Sequence, residues 1–172
     1  LTFEAGGVRW VPIDEVFEFR NGYTPSKSNP SFWQDPSIPW FRIEDIKQNG
    51  HVLSSAIQSV SAKAVKSSKP FEPNSILVST SASIGEFAVV KVPHLANQRF
   101  VSLSVKASWR NHIHASYLTC LGWVISKLAK ENASSGGNFA SLDNKTLSRL
   151  LVPIPTLEEQ MQVAAKVEAF DS

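Results

Sequence analysis

Asn29-Pro30-Ser31-Phe32 comes within one residue of the N-P-P-F/Y tetrapeptide with which amino-methyltransferases hold a flipped base. The second proline is missing, and no Gly-rich strand-to-helix turn for a methyl donor occurs in the chain, so the stretch reads as a loop. His112 and His114 could offer a metal two imidazoles from one face of a strand, yet no cysteine or third histidine completes a ligand set nearby. Ser79, Ser81 and Ser83 precede Gly85 without the G-x-S-x-G elbow that activates a serine, which leaves a turn between strands. Walker loops and P-D…E-x-K carboxylate clusters are absent as well. Intrinsic catalysis is therefore excluded, and no metal or cofactor is expected.

Polyanion binding is the chemistry the residues do support. From Lys47 to Lys130 stand ten Lys and Arg against two acids, Glu72 and Glu86, whereas the remaining residues hold seven bases and thirteen acids. Such segregation suits a nucleic acid on the middle of the chain and a less basic partner at its ends; alternatively, folding interleaves the charges and erases it. A DNA reader needs cations that fix it on phosphates and polar groups that reach base edges. For phosphates the candidates are Lys63, Lys66 and Lys69, which share one face if that segment is helical, together with Lys91 and Lys106. For base edges they are polar residues on loops flanked by Gly or Pro. These are Tyr23, Thr24, Ser26 and Lys27 in one loop, Arg110, Asn111 and His112 in a second, and Ser135, Asn138 and Phe139 in a third. Most of the five Trp are expected in the core, with Trp33 and Trp109 placed for partner contact.

A chain of 172 residues, 42% hydrophobic, can bury the core of one domain. Cys120, the single cysteine, sits in an apolar helical stretch, as a packed thiol in a reducing compartment would. No secretory pattern occurs and no apolar run approaches the ~18 residues of a span, so a cytoplasmic protein without membrane contact is expected. An edge strand or a turn is predicted over 8–13, a short helix over 14–19 capped by Asp14, a Pro- and Ser-rich loop over 24–39, and a strand over 38–43. Further strands follow over 75–80, 87–92 and 98–106. In the last of these Val101, Leu103 and Val105 alternate with Ser102, Ser104 and Lys106, one face for the core and one for water. The spacing of Leu118, Leu121, Ile125 and Leu128 predicts a helix over 114–131. Asp143 or Asn144 caps a short helical turn ending at Leu150, and Thr156 with Glu159 forms an S/T-x-x-E capping box that starts a final helix at Leu157. Within it Val163, Val167 and Phe170 step by four and three, which fits a coiled-coil seam or equally an amphipathic helix packed on its own domain.

Several stretches gain meaning from their order. Gly22-Tyr23-Thr24-Pro25-Ser26, Ile38-Pro39-Trp40-Phe41-Arg42-Ile43-Glu44-Asp45-Ile46, Ser81-Ala82-Ser83-Ile84-Gly85, Ala96-Asn97-Gln98-Arg99-Phe100 and the Val152-Pro153-Ile154-Pro155 step into a helix carrying Gln160 follow one another. Together they resemble the target recognition domain of type I restriction-modification specificity (S) subunits, and the resemblance spans nearly the whole chain. It implies an α+β fold, a twisted and mainly antiparallel β-sheet with small flanking helices. Residues 1–152 would form the DNA target recognition domain and 153–172 the start of a conserved coiled-coil spacer helix. The implied activity is reading one half of a bipartite target in double-stranded DNA, with no chemistry of its own. Methyltransferase (M) subunits would dock on it and, through them, restriction (R) subunits. The terminal helix would act as a ruler, pairing through Val163, Val167 and Phe170. Since a complete S subunit carries two such domains and this chain opens on Leu1, it is expected to be a fragment or a half-subunit that pairs with a second. Asn97-Gln98-Arg99 matches purine edges, but a triplet shared across the family cannot read different targets, so it is assigned to structure or a common backbone contact. The alternative outside the family is a protein-interaction scaffold built on the helix and the aromatic loops.

Overall fold

The computed structural model describes residues 2–134 and 140–171. In chain order the elements are β1 (Phe3–Ala5), β2 (Val8–Pro12), α1 (Ile13–Val16), β3 (Phe17–Asn21), β4 (Ile38–Phe41), α2 (Ile43–Asn49), β5 (Val52–Leu53) and β6 (Gln58–Val60). There follow β7 (Ser75–Ser79), β8 (Phe87–Val90), β9 (Leu95–Ala96), β10 (Phe100–Val105), α3 (Leu118–Asn132), α4 (Asn144–Arg149), β11 (Leu151–Ile154) and α5 (Leu157–Asp171). The central sheet has the order β3-β10-β7-β8-β5, antiparallel except for the β5–β8 edge pair. Two three-stranded sheets, β1-β2-β11 and β6-β4-β9, flank it, giving the α+β class that the resemblance implies.

The central sheet is covered on both sides, and this is the main departure from the sequence reading. Ile76, Val78, Phe87, Val89, Val101 and Leu103 face one core with Leu118, Leu121, Ile125 and Ala129 of α3. Leu77, Ala88, Val90 and Phe100 face a second core with Trp40, Phe41, Ile43, Ile46, Phe71 and Leu95. Ser102 and Ser104, expected in water, are therefore only 2% and 9% exposed. The alternation of β10 here separates two buried faces, and the short serines leave room for the smaller lobe to pack on the sheet.

Two local expectations give way to tertiary bonding. The helix expected over 14–19 ends at Val16 and starts after Pro12 rather than at a cap on Asp14, because 17–21 pairs residue by residue with β10. Phe17 and Phe19 already carry the two-residue period of a strand. The helix α2, which the local pattern does not announce, is held by buried Asp45: its carboxylate accepts from the amides of Arg42 at 2.8 Å and Ile57 at 2.7 Å. By contrast, Asp143 caps α4 through the Thr146 amide, and the Thr156 and Glu159 capping box forms as spelled, Glu159 accepting from the Thr156 amide at 3.0 Å. No helix among the described residues is long and apolar enough to cross a membrane.

Candidate nucleic-acid interface

The lysines at 63, 66 and 69 do not share a helix face. A single 3-10 turn, Ala62–Ala64, is followed by extended chain and by Ser67 at a φ of 106°. The backbone groups that a helix would satisfy internally are instead taken by two side chains from β3 and the loop after it. Tyr23 donates its hydroxyl to Ala64 O and accepts from the Lys66 amide, while Arg20 donates to Ser67 Oγ, Lys69 O and Pro70 O. Arg20 also stacks over Phe71, 4.7 Å from its centroid.

The result is a band of cations laid across the smaller lobe. Lys63 is exposed, and the Lys66 ammonium lies 4.5 Å from the Tyr23 ring centroid. Lys69 pairs with Glu72, whose carboxyl is held below the usual range first by that hydrogen bond and then by the charges of Lys69, Arg110 and Arg20. Glu72 is thus an acid set among three bases. Of the other cations predicted for phosphates, Lys91 donates its amide to Leu53 O at the β5 edge, and the Lys106 ammonium donates to the Asp14 carbonyl. Neither joins the band by a contact.

Beside the band the 22–37 loop forms one wall of a cleft of about 510 Å³ lined by Lys27, Trp33, Gln34, Trp40, Arg42 and Gln58. Both indoles position that wall, Trp40 donating to Tyr23 O and Trp33 to Ser26 O at 3.1 Å each. Lys27 and the Ser26 hydroxyl are exposed, and the hydroxyl bonds Ser28. Thr24 donates to the Gln98 side chain, so part of the Asn97-Gln98-Arg99 triplet holds the loop, as its assignment to structure requires. Arg42 stacks over Trp40 with its Nε buried and without a partner among the described residues. Arg42, Gln34 and Gln58 escaped the sequence reading. Gln58 reaches the cleft only because it is the cross-strand partner of Trp40, which no local pattern announces.

The second predicted loop stands apart from this cleft. Arg110 lines a hollow with Glu72, Asn74 and Ser104, at the far end of the band, while Asn111 and His112 line another beside Arg9, Trp109 and Thr156. Arg9 stacks over Trp109, so that indole packs inside the domain. Ser135, Asn138 and Phe139 lie outside the described residues.

Residues 7–172 match the family model of the type I restriction modification DNA specificity domain. The chain belongs to this family. Among its relatives is the EcoprrI specificity subunit of Escherichia coli, 45% identical over 148 residues that make up 86% of this chain and 37% of that protein. The EcoR124I/EcoR124II specificity subunit of Escherichia coli is 28% identical over 178 residues, all of this chain and 43% of that protein. The fold is similar to the HsdS subunit from Thermoanaerobacter tengcongensis, with a TM-score of 0.70 at 18% identity over 98% of this chain and 38% of that one. The specificity domain described here spans less than half the length of these curated relatives.

In this specificity domain the terminal helix is also part of the domain's own packing. Gln160 is fully buried, its Nε2 donating to His112 O at 2.8 Å and Pro155 O at 2.9 Å while its Oε1 accepts from the His114 amide at 2.8 Å. Ala164 is buried and Val167 packs against the same core, whereas Val163 is exposed and Phe170 is 89% exposed. The three residues considered for a seam therefore do not share one environment. Gln160→Leu strands three backbone groups at once and is expected to lower stability by about 2 kcal/mol in urea unfolding. An unchanged midpoint and slope would show that the helix root is not fastened there.

Proposed function

We propose that the chain is the DNA-reading part of a specificity subunit, recognising one half of a bipartite target in double-stranded DNA and performing no chemistry itself. The observation that carries this reading is the band from Lys63 through Lys66 and Lys69 to Arg110, interrupted by the single acid Glu72 and flanked by a cleft rich in side-chain amides. Residues 1–152 act as the recognition domain and 153–172 begin the spacer. In the complete subunit, methyltransferase and then restriction subunits dock, and the exposed Val163 and Phe170 with Val167 beside them meet a second helix.

The salt dependence of duplex binding tests it. Each phosphate neutralised contributes ~0.9 to the slope of log affinity against log salt, so Lys63→Ala with Lys66→Ala is expected to weaken all duplexes alike and reduce that slope by about 2. Glu72→Gln should act in the opposite sense, freeing Lys69 and strengthening binding. Anisotropy titrations at several salt concentrations read both. Binding indifferent to salt and to all three changes would favour the rival, a protein-interaction scaffold, for which exposed Trp123, packed edge-on against His51 and Phe87, offers a contact.

A further inference from the structure

We infer that the cleft between Trp33 and Arg42 takes the edge of a purine in the duplex, with Arg42 donating to its acceptors and Gln34 and Gln58 deciding which purine is accepted. This rests on the DNA-binding reading above and names the subsite where sequence is read. The first ground is an unmet donor: the Arg42 Nε is buried without a partner among the described residues, and its guanidinium is held over the Trp40 ring at 5.5 Å. A stacked guanidinium is oriented before any ligand arrives, which suits a fork that must meet two acceptors in one plane.

The second ground is what surrounds it. No carboxylate lines the cleft; Asp35, next in the chain to Gln34, is exposed outside the lining. The side-chain amides of Gln34 and Gln58 make no hydrogen bond to the described residues, although each carries both a donor and an acceptor. A phosphate offers only acceptors and would meet the amide oxygens unfavourably. A purine edge presents acceptors at O6 and N7 of guanine, or an acceptor beside a donor at N7 and N6 of adenine, and so matches an arginine flanked by two amides.

The third ground divides the labour. Arg42 falls inside one of the stretches that carry the family resemblance, while Gln34 and Gln58 fall outside them all. An arginine within such a stretch, flanked by glutamines outside all of them, would supply a purine contact while leaving the choice between purines to the glutamines. Neither glutamine takes part in the core, so changing either leaves the scaffold intact.

The experiment selects bound duplexes from a randomised pool with the wild-type chain and with Gln34→Ala, Gln58→Ala and Arg42→Lys, sequencing the bound fraction. It then measures salt slopes on one selected and one unrelated duplex. The expected result is a preference lost or altered at one position, by roughly 5- to 150-fold between the right and wrong base, with binding to the unrelated duplex and the salt slope unchanged. A uniform loss on every duplex with a shallower slope for Arg42→Lys, and unchanged preferences for both glutamine variants, would make the cleft a phosphate clamp and overturn the inference. So would wild-type selectivity in all three folded variants. Failure of the wild-type chain to bind any duplex would instead remove the DNA-binding reading itself, and this inference with it.

Discussion

Gly22→Ala is expected to remove about 3 kcal/mol or more of folding stability and to release the loop that forms one wall of the cleft. A Cβ at this position would lie 1.9 Å from the Asn97 carbonyl oxygen and 2.7 Å from that of Ala96. Both obstacles are backbone atoms, so no side-chain rotation relieves the overlap. The approach is fixed from both sides, the Gly22 amide donating to Phe100 O at 2.8 Å and the Tyr23 amide to Ala96 O at 2.7 Å. Parting the two segments enough to admit a methyl group breaks these bonds, and Tyr23, Ser26 and Lys27 follow directly in the chain. Urea unfolding followed by tryptophan fluorescence reads the stability change, and duplex titration reads the loss of binding. A variant within about 0.5 kcal/mol of wild type would mean that the two backbones do not meet as described.

Acid should loosen the smaller lobe well before it unfolds an average domain, because of His94. This side chain is fully buried between Phe41 and Phe71, which meet it edge-on at 5.5 and 5.6 Å. Its Nδ1 lies 2.8 Å from Val92 O and so carries the proton, leaving a buried Nε2 without a partner among the described residues. Burial pushes the imidazole down to about 4; the Val92 carbonyl works against this shift and the charge of Arg20 adds to it. The unfolded chain therefore takes up a proton near the ordinary 6.5 while the folded one resists until about 4. Stability from this group is intact above that upper value, declines as pH falls through the interval, and levels off below it. The full difference is about 3 kcal/mol. His94→Leu should flatten the decline between those two values, leaving the later losses from Asp143 and Glu72, whose carboxyls are held below the usual range by the Thr146 amide and by Lys69 respectively. Equal pH dependence in both proteins, measured by urea unfolding at a series of pH values, would remove His94 as the cause.

The same lobe shows where local reasoning stops. The lysines at 63, 66 and 69 are exposed, but their arrangement depends on Arg20 and Tyr23, 40 or more residues earlier in the chain. A helix there would put all three on one face; the hydrogen bonds from β3 and its loop hold the segment as an open strip instead. Val101, Leu103 and the serines between them were read as a half-exposed strand because alternation is normally a boundary between core and water. Here it is a boundary between two cores, and nothing within 98–106 states that a second layer of structure arrives from residues 38–96.

What the sequence determined by itself is whatever depends on near neighbours: the Thr156 and Glu159 capping box and the Asp143 turn, the period of α3, the strands at 75–79 and 100–105, and the ordered stretches that mark the family. These are short-range, since caps and periodicity act within a turn or two of backbone. The tertiary structure alone decided which cations lie side by side, that Arg42 is left with an unmet donor and lines one cleft with Gln34 and Gln58, and that Gln160 ties the final helix to residues 112–114. Those adjacencies arise from sheet register and layer packing between segments far apart in the chain, and a surface that binds a long polymer is assembled from just such distant pieces.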